Sequence, residues 1–306
     1  MDRKKSQYSN CGSIVNNERV GNFVFQHSSS DERKDTIIQS LWTKPCGGCI
    51  KDMMYLAALS LAYAHNSGYN VNMHTDSYGA ELLKDFGYDN LLTTLDKIPD
   101  SVPTLLFAAG KFYALQAEGN TGKVHIDIDV FLKKPGVLDR FYRNPKVDAI
   151  CQMEEDMSLV DHRDIIQHMF VMGYPATTRP NWHGSMNTGI IGFHNPELAK
   201  KYIDNYFEAL GIYQADKFEQ YRKENKDANL FFDFVLEQIE LSFLSTGYNV
   251  YTLLPTKNCC FVADKIGYQH LQGTQKWSEE YKNIIKKILM VKDQRLFDVL
   301  RRKLNE

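Results

Sequence analysis

The chain has 306 residues, 43% hydrophobic and 12% aromatic, with a formal net charge of −2. That length can bury one large core, with or without a small appendage. The near-neutral balance argues against a dedicated nucleic-acid binder, and the longest apolar run, Leu56 to Ala64, is too short to span a bilayer. No apolar run follows the charged start Met1-Asp-Arg-Lys-Lys-Ser, and six cysteines (Cys11, Cys46, Cys49, Cys151, Cys259, Cys260) lack the spacing of a disulfide framework. Both features predict a cytoplasmic protein in a reducing compartment.

Extended and helical patterns alternate along the chain, which predicts a doubly wound α/β sheet. Thr36 to Trp42 reads as a first strand. Lys51 to His65 is rich in helix formers and is stopped by Gly68. Asn70 to Thr75 is a second strand ending at Asp76, Ala80 to Phe86 a helix, and Leu91 to Leu95 a short strand. Pro103 to Ala117 reads as a helix with Pro in its first turn, leading through Gly119, Thr121 and Gly122 into the run Val124 to Leu132. Val147 to Met153 and Asn187 to Phe193 are further strands. The second leads through Asn195 and Pro196 into a helix from Glu197 to about Leu210. Asp227 to Leu244 is another helix and Asn249 to Leu254 a last strand.

Residues 278–306 read as a separate C-terminal segment beyond a main domain of residues 1–277. In it Ile284, Ile285, Ile288, Leu289, Leu296 and Leu300 recur at helical spacing among Lys282, Lys286, Lys287, Lys292, Arg295, Arg301, Arg302 and Lys303. Such an amphipathic basic segment either packs its apolar stripe on the main domain or lies on an anionic membrane surface.

Two motifs carry chemistry. Val124 to Leu132 reads Val-His-Ile-Asp-Ile-Asp-Val-Phe-Leu, placing Asp127 and Asp129 two residues apart in an apolar run that reads as one buried strand. Unpaired carboxylates there cost several kcal/mol each, roughly, so a cation must sit beside them, and a divalent metal holding a phosphate is the natural candidate. Tyr268 to Trp277 reads Tyr-Gln-His-Leu-Gln-Gly-Thr-Gln-Lys-Trp. It brings an imidazole, His270, a permissive backbone position, Gly273, and an ammonium, Lys276, into ten residues.

A third motif competes. Cys46-Gly-Gly-Cys49 on a strand-to-helix turn, with Val102-Pro103-Thr104 further on, looks like a thioredoxin active site, and a helix N-terminus would stabilise its thiolate. That fold leaves the aspartate pair and the His270 to Trp277 segment unexplained. Asp127-Ile-Asp129-Val also resembles the nucleophile strand of haloacid-dehalogenase phosphatases, a motif that normally opens its domain.

Together, the Asp-x-Asp segment and the later His-x-x-Gly-x-x-Lys-Trp resemble the retaining nucleotide-sugar glycosyltransferases of the GT-A fold, the glycogenin and bacterial lipooligosaccharide galactosyltransferase type. The family's Pro before the Trp is absent here. The resemblance covers most of Thr36 to Trp277 in order and implies a mixed, mostly parallel sheet flanked by helices, with C-terminal helices after it. It implies Mn²⁺ or Mg²⁺ on Asp127, Asp129 and His270, a hard, mixed oxygen and nitrogen site, and a diphosphate near Gly273, Lys276 and Lys111. Met186-Asn-Thr-Gly is similar to the family's Asn-Ser-Gly segment, which assigns donor-sugar contacts to Asn187 and Gly189. Glu237-Gln238 matches the acidic-Gln pair beside the reacting sugar, with Glu where many relatives have Asp. Trp42 and Asp76 would meet the ribose and base. The implied partners are a nucleotide-sugar donor, a UDP-sugar by preference, and a saccharide or lipid-linked acceptor with peripheral membrane contact. A non-catalytic nucleotide-sugar or carbohydrate binder of the same fold fits the same residues, and none of them declares itself a general base.

Overall fold

A computed structural model describes residues 35–156, 184–215, 219–224, 232–271 and 274–305. Its first strand, β1 (Thr36–Leu41), leads through a short turn into α1 (Ile50–Asn66), followed by β2 (Asn70–Thr75), α2 (Ser77–Leu83), β3 (Asn90–Leu92) and α3 (Ala109–Ala117). After these come β4 (Val124–Ile126), β5 (Val130–Leu132), β6 (Ala149–Asp156), β7 (Gly184–Phe193) and α4 (Pro196–Gln214). A helical run over 232–244 contains the π-helical turn Val235–Ile239, and β8 (Val250–Thr252), α5 (Cys259–Ile266), β9 (Tyr268–His270), α6 (Glu279–Lys292) and α7 (Gln294–Leu304) complete the chain.

Seven strands form one sheet in the order β3-β2-β1-β4-β7-β6-β8. β7 alone runs against both neighbours, and β6 and β8 are parallel. This is the mixed, mostly parallel α/β sheet flanked by helices that the sequence predicts. It buries both faces, as a sheet with helical crossovers must. One face packs on α1, α6 and α7, the other on α3, α4 and the 232–244 run.

α1 is buried from Met54 through Ala64 because it lies between the sheet and the C-terminal helices, so its apolar residues run all round it. Its Ser60 is satisfied inside the core, accepting from Gln39 Nε2 at 2.7 Å and donating to Val130 O at 2.6 Å. α4 starts where Asn195 Oδ1 accepts the N–H groups of Glu197 and Leu198 and Pro196 fills the first turn. Ile285, Leu289, Leu296, Val299 and Leu300 of α6 and α7 enter the same core as α1. Among the described residues no helix is long and apolar enough to cross a membrane.

The structure corrects the sequence reading at the centre. Val124 to Leu132 is not one strand: β4 stays in the main sheet, the chain turns at Asp127 to Asp129 with Val130 N–H closing on Asp127 O at 3.0 Å, and β5 leaves to pair with β9. Two carboxylates cannot stay in a doubly covered apolar strand, and the turn takes them to its end. The helix read over Pro103 to Ala117 begins only at Ala109, the preceding residues forming turns through Leu106 N–H to Pro103 O and Ala109 N–H to Leu106 O. α2 starts at Ser77 rather than Ala80, because Asp76 caps it by accepting from Gly79 N–H. β3 stops at Leu92, and Thr94–Lys97 is a 3₁₀ turn. Residues 227–231 of the helix read over Asp227 to Leu244 lie outside the described residues.

Candidate metal centre

At the carboxyl end of β4 the turn presents Asp127 and Asp129, and β9, paired antiparallel to β5, delivers His270 opposite Val130. One ligand atom from each of Asp127, Asp129 and His270 lies within 4.8 Å of the others. His270 Nε2 stands 3.4 Å from Asp129 Oδ1. Its other nitrogen, Nδ1, is 2.6 Å from Gln152 Oε1, which also accepts the Tyr268 hydroxyl at 2.7 Å. With both acceptor positions of that oxygen in use, Gln152 orients the ring and turns Nε2 toward the aspartate turn. Two carboxylates and an oriented imidazole therefore fit a divalent ion such as Mn²⁺ or Mg²⁺.

Gly189 of β7 makes this packing possible. A Cβ there would stand 2.6 Å from His270 Cε1 and Nδ1 and 2.7 Å from Gln152 Oε1. Its carbonyl accepts Asp127 N–H at 2.9 Å, so the same residue fixes the start of the acidic turn.

Two lysines flank the aspartates. Lys276 pairs with Asp129 Oδ2. Lys111, buried on α3, reaches Asp127 Oδ1 at 2.9 Å, donates to Thr188 O at 2.9 Å and pairs with Glu237 Oε1. Thr188 Oγ1 donates to the same Glu237 oxygen at 2.6 Å. Glu237 is itself buried, facing inward from the π-helical turn.

The surroundings pull the two aspartates apart. Burial pushes Asp127 above the usual carboxylate range; Lys111 opposes that, while Asp129 and Glu237 reinforce it. Burial also disfavours the charged form of Asp129, but Lys276 and His270 outweigh it and hold the group below its ordinary value. For Lys111 burial works to strip the proton, and Asp127 and Glu237 overcome it, so the ammonium is held above its usual value. Behind the turn, His125 is kept neutral by burial and then by Lys111. Its Nε2 bonds Ser40 Oγ at 2.9 Å, and its Nδ1 lies 3.8 Å from Asp127 Oδ1.

A family of unknown function, DUF6734, matches residues 36–302, from the first residue of β1 through nearly all of α7. The chain belongs to that family. Its matched region holds the whole cluster and both lysines. No curated protein matches the chain. Among solved structures it is similar to mouse xyloside xylosyltransferase 1, at 11% identity and a TM-score of 0.38, covering 72% of this chain and 85% of that one. It is similar also to the galactosyltransferase LgtC in complex with donor and acceptor sugar analogs, at 10% identity and a TM-score of 0.38, over 84% of this chain and 95% of that one. The bifunctional glycosyltransferase WbbM matches at 10% identity and a TM-score of 0.39, over 91% of this chain and 53% of that one.

The other residues singled out in this DUF6734 member fall into three groups. Asn187 lies beside the centre, donating to Glu155 Oε1 at 3.1 Å and accepting from Gly189 N–H at 3.0 Å, and Gln238 accepts from Ser185 Oγ at 3.3 Å. Trp42 is buried in the core, and both oxygens of Asp76 are engaged by Thr43 N–H, Thr43 Oγ1 and Gly79 N–H. Gly273 lies outside the described residues. Sequence reasoning gave no role to Gln152, Glu155, Thr188 or His125. Gln152 carried a usable signal, since a lone amide inside the strand Ala-Ile-Cys-Gln-Met must find partners. Glu155 sits at the open end of β6, its carboxyl pushed up by burial and pulled back by Asn187.

Proposed function

We propose that this protein is a metal-dependent glycosyltransferase of the GT-A type, working in the cytoplasm. It takes a sugar from a UDP-sugar donor and transfers it, with retention, to a hydroxyl of a saccharide or lipid-linked acceptor. The observation that carries this reading is the convergence of Asp127, Asp129 and His270 between two lysines, at the carboxyl end of a parallel strand. Open α/β sheets bind nucleotides at that edge, and an acidic pair beside lysines suits a cation bridged to a diphosphate better than either alone.

A divalent ion supplies Lewis-acid stabilisation of negative charge on phosphate oxygens when bound. Asp127, Asp129 and His270 would hold it. As the bond from the anomeric carbon to the phosphate breaks, charge grows on the leaving diphosphate, and Lys276 neutralises it where it develops. A preorganised donor of this kind contributes roughly 10²–10³-fold in rate. Asn187, steadied by Glu155, and Gln238, steadied by Ser185, orient the sugar and exclude water from it. Glu237 is taken up by Lys111 and Thr188, so we assign it the placement of Lys111 rather than contact with the sugar. The dithiol reading loses support, since burial and then Asp76 push the Cys46 thiol up to about 12, away from a reactive thiolate.

The test is a panel of nucleotide sugars with Mn²⁺, read by thermal stabilisation and by slow donor hydrolysis. Stabilisation with hydrolysis by one donor is expected. Stabilisation without turnover of any donor would make the chain a non-catalytic binder, and no response to any nucleoside diphosphate would sink the reading.

A further inference from the structure

We propose that Asp233 is a positioning residue of this site, a buried pin that joins the start of α3 to the 232–244 run and so sets the Lys111–Glu237 pair. The inference rests on the reading of the site given above and adds a residue to it. Asp233 has no exposed surface. Its Oδ2 accepts Ala108 N–H at 3.0 Å and its Oδ1 accepts the Tyr206 hydroxyl at 3.1 Å. Ala108 immediately precedes α3, and Lys111 follows one helical turn later; Glu237 follows Asp233 by four residues, in the π-helical turn. One carboxyl therefore grips both arms whose far ends meet as the ion pair.

The surroundings make that grip stiff. α4 lays Tyr202 and Tyr206 along the same junction, with Phe112 of α3 stacked on Tyr206 at 3.7 Å between centroids and tilted against Tyr202 at 4.9 Å. The Tyr202 hydroxyl donates to the backbone oxygen of Glu237 at 2.8 Å. A carboxyl in such an aromatic cluster costs stability that an apolar side chain of the same volume would not. Its use must lie in direction, since Ala108 N–H needs an acceptor at one place.

Burial pushes Asp233 up to about 8; Ala108 N–H pulls it down and Glu237 pushes it further up. The other groups facing it are Tyr202 and Tyr206 from α4 and Lys111 from α3. An amide reproduces the shape of the carboxyl and keeps a carbonyl acceptor for Ala108 N–H.

The test compares Asp233→Leu, Asp233→Asn and Tyr206→Phe in protein labelled with ¹⁵N-lysine, following the side-chain ammonium signal of Lys111 and its exchange with water, beside kcat and KM for donor hydrolysis. In the wild type the signal is expected to be slowly exchanging. Asp233→Asn should keep it and stay within threefold in kcat. Asp233→Leu should lose it, with kcat reduced at least tenfold and KM within threefold. If Asp233→Leu does not fold, Tyr206→Phe decides: it removes one of the two bonds and should accelerate Lys111 exchange at least threefold. An unchanged Lys111 signal in a folded Asp233→Leu, or unchanged exchange in Tyr206→Phe, overturns the proposal. A wild type inert to every nucleotide sugar would sink the glycosyltransferase reading alone, because the ammonium signal needs no donor.

Discussion

Two turns beyond strand ends offered chemistry in this chain, Cys46-Gly-Gly-Cys49 after β1 and Asp127-Ile-Asp129 after β4, and they have opposite surroundings. The cysteine turn closes on itself: Cys46 N–H bonds Thr43 O, Cys49 N–H bonds Cys46 O, and the Cys46 thiol donates to Trp42 O at 3.2 Å. Burial, and then Asp76, raise the Cys46 thiol. The aspartate turn instead gathers groups from far along the sequence, Lys111 from α3, Gly189 from β7 and His270 and Lys276 from beyond β8. A reactive spacing marks only where chemistry is possible. The charges that the fold brings to it decide whether the spacing is used.

The sharpest test of that contrast removes one aspartate. Asp129→Ala should abolish the Mn²⁺-dependent stabilisation by UDP, which amounts to about 2.7 kcal/mol at a ligand concentration a hundred times Kd. A thermal shift with UDP and Mn²⁺ equal to that of the parent protein would move the metal elsewhere. Gly189→Ala attacks the same centre from behind. Its Cβ would meet the His270 ring at 2.6 Å, so the ring or β7 must shift. Overpacking of this kind costs about 1–3 kcal/mol, and a misdirected ligand weakens metal binding about 10–100-fold. Urea midpoints and Mn²⁺ titration separate the two effects, and an unchanged Mn²⁺ affinity would remove His270 from the ligand set.

How far these outcomes could be foreseen depended on range. The strands β1, β2 and β7 and the helices α1 and α4 were legible because hydrophobic runs, Gly68 and the Asn195-Pro196 start are local signals. The break in the aspartate strand was not, since it arises from burial on both faces, which a run of nine residues does not declare. Gly189 read as a site where a donor sugar approaches, and the structure puts the His270 ring against it. Lys111 and Glu237 were hardest to place, because a buried ion pair spanning 126 residues leaves no periodicity behind.

A smaller effect is expected from pH. Asp233 has a folded value near 8 against an ordinary 3.8, so the folded state keeps a proton that the unfolded chain has released. Its contribution to stability is complete below the ordinary value and is lost progressively as pH rises through about 8, with a slope of at most about 1.4 kcal/mol per unit. Asp233→Asn lacks this slope. Its melting temperature relative to the wild type should therefore rise between pH 6 and 9, and a constant difference would mean that Asp233 is ionised throughout. Smaller still, Cys46→Ser and Cys49→Ser should each leave donor turnover within about twofold, a change of less than about 0.5 kcal/mol in barrier. A large loss of a disulfide-reductase activity in either would restore the dithiol turn as a working site.

The smallest effect concerns the basic helices α6 and α7. Read as sequence, their eight cations fit an anionic membrane as well as they fit a solvated face. In the fold most are already engaged: Lys282 pairs with Asp52 at 3.0 Å, Lys303 with Asp85 at 2.8 Å, Arg295 donates to Phe86 O at 2.9 Å, and Lys286 and Lys292 lie over Tyr55 and Tyr63. The apolar stripe is in the core, and of the other exposed cations Arg301 lies over Phe297 and Arg302 donates to Asp298 O at 3.3 Å, while Lys287 stands on an exposed position. At about 1 kcal/mol per cation close to an anionic surface, cations held by protein groups give only marginal attraction, and ordinary salt screens it. Sedimentation with vesicles should therefore show partial retention on anionic lipid at low salt and none at 0.15 M ionic strength, roughly the physiological value. Firm retention at that salt would mean that the helices turn a different face outward, and it would favour a lipid-linked acceptor over a soluble saccharide.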